Sequence, residues 1–444
     1  MYKNKKFFVL GMARSGLEVS KLLASENEVI ATDLKELSDE NKELIDSIGV
    51  KFERLDNPEE YLDESFDYLI KTPGIKYTHP CVVRARELNI PVVNEVEIAY
   101  SYIDPSVNII GITGSNGKTT TTTMTYEILK SAYPEKTHLA GNIGIPLSAM
   151  IKDIKPNDIL VAEISDHQLC DMYNFKTNVS IVTNISECHI DFHDSYDRYK
   201  EMKKRIFNNL TDNDLVVINK DNEEAVNISN DVTQPKVYFS KTEETKCYLK
   251  DGKIYYDGEC VVDTANFVIK GDHNAENAMA AIIAAKRYNV SNEVIQNVLY
   301  NFKGVEHRLE FVDNINGRKA YNDSKSTNCE STKIALSSFN VPTVLLLGGL
   351  DRGHSFDELL PFMTYVKHVV CYGETKLRIK EFCDNNNIPC TIVDELVEAT
   401  NKAYEVSSEG DVILLSPACA SWDQFAKFED RGDLFKNTIR ELGK

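Results

Sequence analysis

Much of what this sequence lacks narrows its function. No apolar run approaches the roughly 20 residues of a membrane span, so no membrane insertion is expected. Basic residues are outnumbered, 50 Lys and Arg against 69 Asp and Glu, for a net charge of -19. A nucleic-acid partner is therefore not expected, because neutralising phosphates takes clustered cations that would dominate such a balance. The ten cysteines, Cys81, Cys170, Cys188 and Cys247 among them, show no paired short spacing. That indicates neither a zinc site nor a disulfide framework, and a reducing cytoplasm is the simple expectation. Tryptophan occurs once, as Trp422. Neither a low-complexity linker nor an internal repeat is evident, and the opening "MYKNKKFFVLGM" runs straight into a strand without resembling a cleavable signal.

What is present is a thrice-repeated rhythm of short apolar strands and helical stretches. At 444 residues the chain exceeds one ordinary core and suggests roughly three domains. The first series holds "KKFFVLG", "NEVIATD" and "FDYLIKTPG". The second runs from "SVNIIGITG" through "NDILVAEIS", "NVSIVTNIS" and "NDLVVINKD" to the helical "ENAMAAIIAAKRY". The third holds "VPTVLLLGG", "VKHVVCYGE" and "DVILLSPA". Strands alternating with helices predict α/β domains with mostly parallel sheets. The stretches "NEVEIAYSYIDPS" and "NFKGVEHR" separate the series.

The most informative local motif is "GITGSNGKTTTT", Gly111 to Thr122. It follows a buried-strand pattern and leads into a helix, which would converge the backbone N–H groups of Gly114, Ser115, Asn116, Gly117, Lys118, Thr119 and Thr120 on a phosphate. The usual spelling puts a glycine five residues before the Gly-Lys pair, where this chain has Ile112. The displacement changes the turn and leaves Lys118 for outer phosphates and Thr119 for magnesium. Magnesium needs further oxygen ligands. Glu163, ending the next strand of the series, is placed to supply one, although a strand-end carboxylate is often only a surface group.

Two other stretches leave alternatives open. "GMARSG", Gly11 to Gly16, with Asp33 ending the following strand, approximates a dinucleotide fingerprint, but Ala13 replaces its middle glycine. A plain strand-to-helix turn fits equally, and "KTPGI" (Lys71 to Ile75) reads either as a second loop of that crevice or as a Pro-Gly turn. In "TNISECHIDFHDSYDRYKEMKKRIF", the alternation of His189, Asp191 and His193 could suggest a metal site. Tyr199, Lys203 and Phe207 recur every four residues on one predicted helix face. An inward lysine needs a partner; the plain alternative packs its stem and sends its head to solvent.

Taken together, "GITGSNGKTT", "AGNIG", "TNISECHIDFH" with its downstream lysine, "GDHNAENAMAA" and "HRLE" resemble the Mur ligase family. These are ATP-dependent enzymes that add amino acids to the peptidoglycan precursor. "YNDSKSTN", "LLLGGLDRG" and "LLSPACASWDQFAKFEDRG" are similar to the D-glutamate-adding branch in particular. The resemblance implies an α/β protein of three domains. Residues 1–97 would form a Rossmann-like domain for the UDP-substrate, 98–304 a central P-loop ATPase domain with a mostly parallel sheet, and 305–444 a C-terminal Rossmann-like domain for the amino acid. It implies a monomer acting on UDP-N-acetylmuramoyl-L-alanine and D-glutamate with ATP and two Mg2+ ions.

The family's roles carry over by position. Lys118 and Gly114 to Thr120 would bind the ATP phosphates, with Thr119 and Glu163 on one magnesium. His189 and Lys203 would serve the second, Lys203 as a carbamate formed with CO2. Asn274 and Asn277 match positions near the adenine, and Asn142 one near the reacting carboxylate. Arg308 and Asp323 match groups that complete the nucleotide site when the third domain closes. Arg14, Ser15, Asp33, Leu34, Lys35 and Gly74 correspond to the UDP site. Thr327, Arg352, Ser421 and Phe428 fall where the family holds D-glutamate. One departure stands out: after Glu163 the family usually has Ser-Ser-Phe-Gln, whereas this chain has Ser165, Asp166, His167 and Gln168. The alternatives are a sibling of the folylpolyglutamate synthase type, or a P-loop ATPase switch that shares only the loop.

Overall fold

The structure, a computed structural model, describes residues 1–269 and 271–444, excepting the side chains of Asp191 and Glu330. It divides into two compact units: Met1–Phe267 with Asp272–Asn301, and Val268–Gly271 with Phe302–Lys444. The first unit carries two sheets and the second carries one.

The first sheet comprises β1 (Lys6–Leu10), β2 (Glu28–Thr32), β3 (Lys51–Phe52), β4 (Tyr68–Lys71) and β5 (Val92–Val93). They pair in parallel in the order β3-β2-β1-β4-β5. The run Phe7, Phe8, Val9 is fully buried, as a parallel strand covered on both faces requires. The strand order reverses between β1 and β4, and such a switch point opens a crevice beyond the strands' carboxyl ends.

The second sheet holds β6 (Asn108–Thr113), β7 (Thr137–Gly141), β8 (Ile159–Glu163), β9 (Val179–Val182), β10 (Leu215–Asn219), β11 (Lys236–Ser240), β12 (Cys247–Lys250), β13 (Lys253–Tyr256) and β14 (Glu259–Asp263). Its order is β14-β13-β12-β11-β10-β9-β6-β8-β7. Only β12-β13-β14 is antiparallel. Because β6 lies between β8 and β9, the segments leaving all three strands meet at one edge. Helix Lys118–Ala132 packs beside helix Asp272–Arg287. The latter is buried continuously from Asn277 to Ala285, where alanines allow close approach and Ile282 and Ile283 fill the core. Each such isoleucine contributes about 2 kcal/mol by burial.

The third sheet is β15 (Glu310–Ile315), β16 (Arg318–Asn322), β17 (Thr343–Gly348), β18 (Val366–Tyr372), β19 (Cys390–Ile392) and β20 (Val412–Leu415). Its order is β15-β16-β20-β17-β18-β19, parallel except for β15. The mostly parallel α/β architecture expected from the three series is what the structure contains.

Details depart from expectation. Phe207 does not continue the helix of Lys203: that helix, Tyr196–Lys204, tightens into a 3-10 turn over Arg205–Phe207, a common way for a helix to end. The ten cysteines are free thiols, yet the sulfurs of Cys371, Cys383 and Cys390 lie within 4.8 Å of one another. Their spacing along the chain hid this grouping, because β18, helix Lys376–Asn385 and β19 bring them together. Among the described residues no helix is long and apolar enough to cross a membrane.

Candidate active site

Ile112, standing where the usual phosphate-loop spelling has glycine, is buried core of β6. The turn itself is Gly114 to Gly117, opening helix Lys118–Ala132. Gly114 has φ 145°, and a Cβ there would sit 2.0 Å from Thr183 Oγ1. At Gly117, φ 78°, a Cβ would sit 2.4 Å from Asn277 Oδ1. Only glycine fits either place.

Segments leaving β9 then pin the loop. Asn116 N–H donates to Asn184 Oδ1 at 2.9 Å, and Thr183 Oγ1 donates to Asn116 O at 2.6 Å. Ser115 Oγ accepts Ser186 N–H at 2.8 Å and lies 2.7 Å from the Tyr199 hydroxyl. Lys118 curls over the turn, donating to Gly114 O at 2.9 Å and Ser115 O at 2.8 Å. Thr119 and Thr120 are buried in the first helical turn. Asn277 accepts from Thr121 Oγ1 at 3.1 Å, and its Nδ2 reaches Asn274 Oδ1 at 3.5 Å.

Glu163 ends β8 beside this loop and is buried. Its Oε1 accepts from Asn142 Nδ2 at 2.8 Å, while Oε2 has no hydrogen-bond partner. An unpaired buried carboxylate oxygen is costly. That cost fits a cation ligand, so the donor set suits magnesium with the Thr119 hydroxyl and phosphate oxygens completing it.

Three residues beyond β8 lies a denser knot. Asp166, buried, receives Lys203 Nζ on Oδ1 at 3.2 Å. Its Oδ2 lies 2.9 Å from His189 Nδ1, 2.8 Å from His193 Nε2 and 3.1 Å from His167 Nδ1. Burial works to raise this carboxyl's pKa, but the hydrogen bonds of the three imidazoles and the Lys203 charge overcome it and hold it far below the usual range. Lys203 is 0% exposed, so its head does not reach solvent. The plain alternative for it fails, because a partner lies inside. The side chain of Asp191 lies outside the described residues.

At the first sheet, Arg14 and Ser15 open helix Arg14–Leu23, whose first turn carries no side-chain cap. Asp33 to Lys35 follow β2 and Gly74 follows β4, so all six expected UDP-site residues share the carboxyl edge of that sheet. Asp33 is not wholly turned outward: its carboxylate accepts Met12 N–H at 2.6 Å and Lys35 N–H at 3.0 Å. Leu34 is 78% exposed. The Lys71 ammonium, ending β4, forms a buried 2.7 Å ion pair with Asp171, a residue that follows β8 in the neighbouring sheet.

Against known proteins, residues 112–285 match the family model "Mur ligase middle domain", and 307–419 match "Mur ligase, glutamate ligase domain". The chain is 44% identical over 99% of its length to the UDP-N-acetylmuramoylalanine–D-glutamate ligase of Geobacillus kaustophilus, covering 98% of that protein. It belongs to the Mur ligase family. The Mur ligase of the same name from Enterococcus hirae is 43% identical, with 99% of this chain and 97% of that one covered. Among solved structures, the UDP-N-acetylmuramate-alanine ligase of Thermotoga maritima shares the Mur ligase fold with TM-score 0.62 at 18% identity, covering 98% of this chain and 99% of that one. The MurF ligase of Thermotoga maritima, solved in complex with ADP, gives 0.59 at 15% identity, with 98% of each chain covered.

The remaining expected residues of this Mur ligase lie in its second unit. Asp323 follows β16, buried, accepting from Ser416 Oγ at 2.7 Å and Leu309 N–H at 3.2 Å. Burial pushes its carboxyl up to about 6, against hydrogen bonds from Ser326 and Ser416 and the charge of Arg308. Thr327 is half-buried and Ser421 buried. Phe428 opens helix Phe428–Leu442 and meets the His307 ring edge-on at 6.0 Å. The Arg352 guanidinium lies 4.9 Å over the Trp422 ring. Trp422 is 64% exposed, and its face is a partner for Arg352. Sequence reasoning had His193 only in its alternation with His189 and Asp191, and Asp166 only as a departure from the family pattern. Neither signal showed that the segments leaving β8 and β9, on either side of β6, would bring the two together.

Proposed function

We propose that this chain is an ATP-dependent amide ligase that adds D-glutamate to UDP-N-acetylmuramoyl-L-alanine in peptidoglycan precursor synthesis. One structural observation supports the reading above others: the buried, unpaired Oε2 of Glu163 beside a phosphate loop built around Lys118. The full-length similarity to relatives named for this reaction supports it independently.

A carboxylate is a poor acceptor for an amine, so the terminal carboxylate of the substrate first attacks the γ-phosphate of ATP, giving an acyl phosphate and ADP. Lys118 and the loop N–H groups hold the phosphates and neutralise charge as it develops. Bound magnesium would add electrostatic neutralisation of the phosphate oxygens. Thr119 and Glu163 would hold one ion, and His189 with an anionic oxygen at Lys203, on the family pattern a carbamate, would hold the second. Asn142 orients Glu163 and faces the reacting carboxylate. Asn274 and Asn277 serve the adenine end, with Arg308 and Asp323 also assigned to nucleotide. Arg14, Ser15, Asp33, Leu34, Lys35 and Gly74 hold the uridine diphosphate. Thr327, Arg352, Ser421 and Phe428 hold D-glutamate, where a guanidinium suits a carboxylate. Its amine attacks the activated carbonyl, and phosphate leaves. Domains of 1–97, 98–304 and 305–444, a monomeric state and a cytoplasmic location complete the proposal.

The test is phosphate release with ATP and UDP-N-acetylmuramoyl-L-alanine while amino acids are supplied in turn. D-glutamate alone stimulates release if the reading holds. Stimulation by a different amino acid would assign a sibling ligase, and release regardless of amino acid would assign an ATPase.

A further inference from the structure

Asp166 and His167 replace the Ser-Phe pair that the family usually has after its metal-binding glutamate, and the structure places both beside His189 and Lys203. We propose that Asp166 itself supplies the anionic oxygen of the second cation site, with His167 and His189 as nitrogen donors, and that Lys203 works there uncarbamylated. The inference rests on the ligase reading for the identity of the reaction and departs from it at one point, putting Asp166 in place of the family-pattern carbamate at Lys203.

The first argument is a donor count. A lysine ammonium has three N–H donors, and three acceptors meet Lys203 Nζ: Thr113 Oγ1 at 3.1 Å, Gly114 O at 2.9 Å and Asp166 Oδ1 at 3.2 Å. The Tyr199 ring, 5.4 Å away, adds a face suited to a cation. Carbamylation of that ammonium joins its nitrogen to CO2 and releases two protons, leaving one N–H and adding two oxygens that share one negative charge. Gly114 O would keep the Lys118 donor, but Thr113 Oγ1 and Asp166 Oδ1 would compete for the single N–H left in a buried place, and a second anion would be set against Asp166. Both changes are costly. The negative charge that a carbamate would bring is already here.

The second argument is geometric. Adjacent ligands of an octahedral cation with bonds near 2.1 Å stand about 3 Å apart. His189 Nδ1 and His167 Nδ1 stand 2.9 and 3.1 Å from the same Asp166 oxygen, and the three donor atoms lie within 4.8 Å of one another. His193, buried and 2.8 Å from that same Asp166 oxygen, orients the carboxylate, as groups outside a metal's ligand set commonly do. His189 holds a left-handed backbone, φ 54°, an uncommon state for a side-chain-bearing residue that persists where surroundings impose it. Two imidazoles and one carboxylate suit a transition metal better than magnesium, and Mn2+ is the paramagnetic probe of such a site.

Carbon-13 NMR of the full-length wild-type protein in 13C-bicarbonate reads the lysine directly, and the result expected is no carbamate resonance. A carbamate resonance overturns the proposal. Electron paramagnetic resonance titration with Mn2+, without nucleotide, reads the ligands. Asp166→Asn and His167→Phe each weaken binding at least about tenfold, and the second variant restores the usual family residue, so misfolding is not the explanation. Unchanged affinity in both variants overturns the proposal. D-glutamate-stimulated phosphate release by the same wild-type sample keeps the two readings apart, since its failure would count against the ligase assignment and leave the cation site as measured.

Discussion

Two glycine-bearing turns in this molecule join a parallel strand to a helix, and they are finished in opposite ways. Both are tight. A Cβ at Gly16 would fall 1.9 Å from Gly11 O, and one at Gly114 would fall 2.0 Å from Thr183 Oγ1. The turn after β6 is wired to its neighbours through Ser115, Asn116, Thr183, Asn184 and Tyr199. Around the turn after β1, Arg14, Leu34, Lys35 and Gly74 are exposed. On the proposed assignment, the same backbone device serves chemistry where the surroundings fix it and binding where they leave side chains to solvent. Preorganisation, rather than the glycine pattern, separates the two.

The largest expected effect comes from the cations of the two turns. Lys118→Ala lowers kcat by roughly 10³-fold, the scale of losing a group that stabilises developing charge. Arg14→Ala instead raises KM for the UDP-substrate by roughly tenfold with kcat held, the signature of lost uniform binding. Steady-state kinetics of both variants would break the comparison if the two losses looked alike.

Next is the tie between the two sheets. Lys71→Met leaves Asp171 buried without its cation and costs about 3–5 kcal/mol, read as a lower midpoint in thermal or urea unfolding. Replacing both residues by apolar ones recovers most of that loss. Burial pushes the Asp171 carboxyl up, and Lys71 opposes it, which is why the single change is the damaging one.

Smaller effects sharpen the contrast in the glycines. Gly114→Ala costs about 1–3 kcal/mol in strain and displacement of Thr183. Gly74→Ala, with nothing within 4 Å of the added carbon, stays within about 0.5 kcal/mol. Circular-dichroism melts of the two proteins measure the difference.

A control outside both turns shows what pH dependence they do not own. Asp323 is raised from 3.8 to about 6 by burial, so its proton favours the folded state. That contribution is complete below pH 3.8 and lost as pH rises through about 6. It amounts to about 3 kcal/mol in the second unit at most. Asp323→Asn removes this slope from stability measured between pH 4 and 7, and leaves any slope arising in the first unit.

The sequence made the strand cores and the phosphate loop readable because each rests on local pattern: apolar runs for β1, β6, β8 and β17, and Gly-Lys-Thr at a strand-to-helix junction. Glu163 was readable for the same reason, as the polar end of an apolar run. What was hidden depends on contacts between distant segments. Lys203 declared itself an oddity by helix spacing, but nothing local revealed that Asp166 would meet it. The Lys71–Asp171 pair and the Cys371, Cys383, Cys390 group were invisible for the same reason. Edge strands such as β3, β5 and β19 are two or three residues long, too short for any periodicity to register.

The central claim is that the loop around Lys118 spends ATP on activating a carboxylate. It is tested most directly with UDP-N-acetylmuramoyl-L-alanine carrying 18O in its terminal carboxylate, incubated with ATP and D-glutamate. The account predicts that each phosphate released carries one 18O from that carboxylate. Phosphate whose new oxygen comes from water would contradict it.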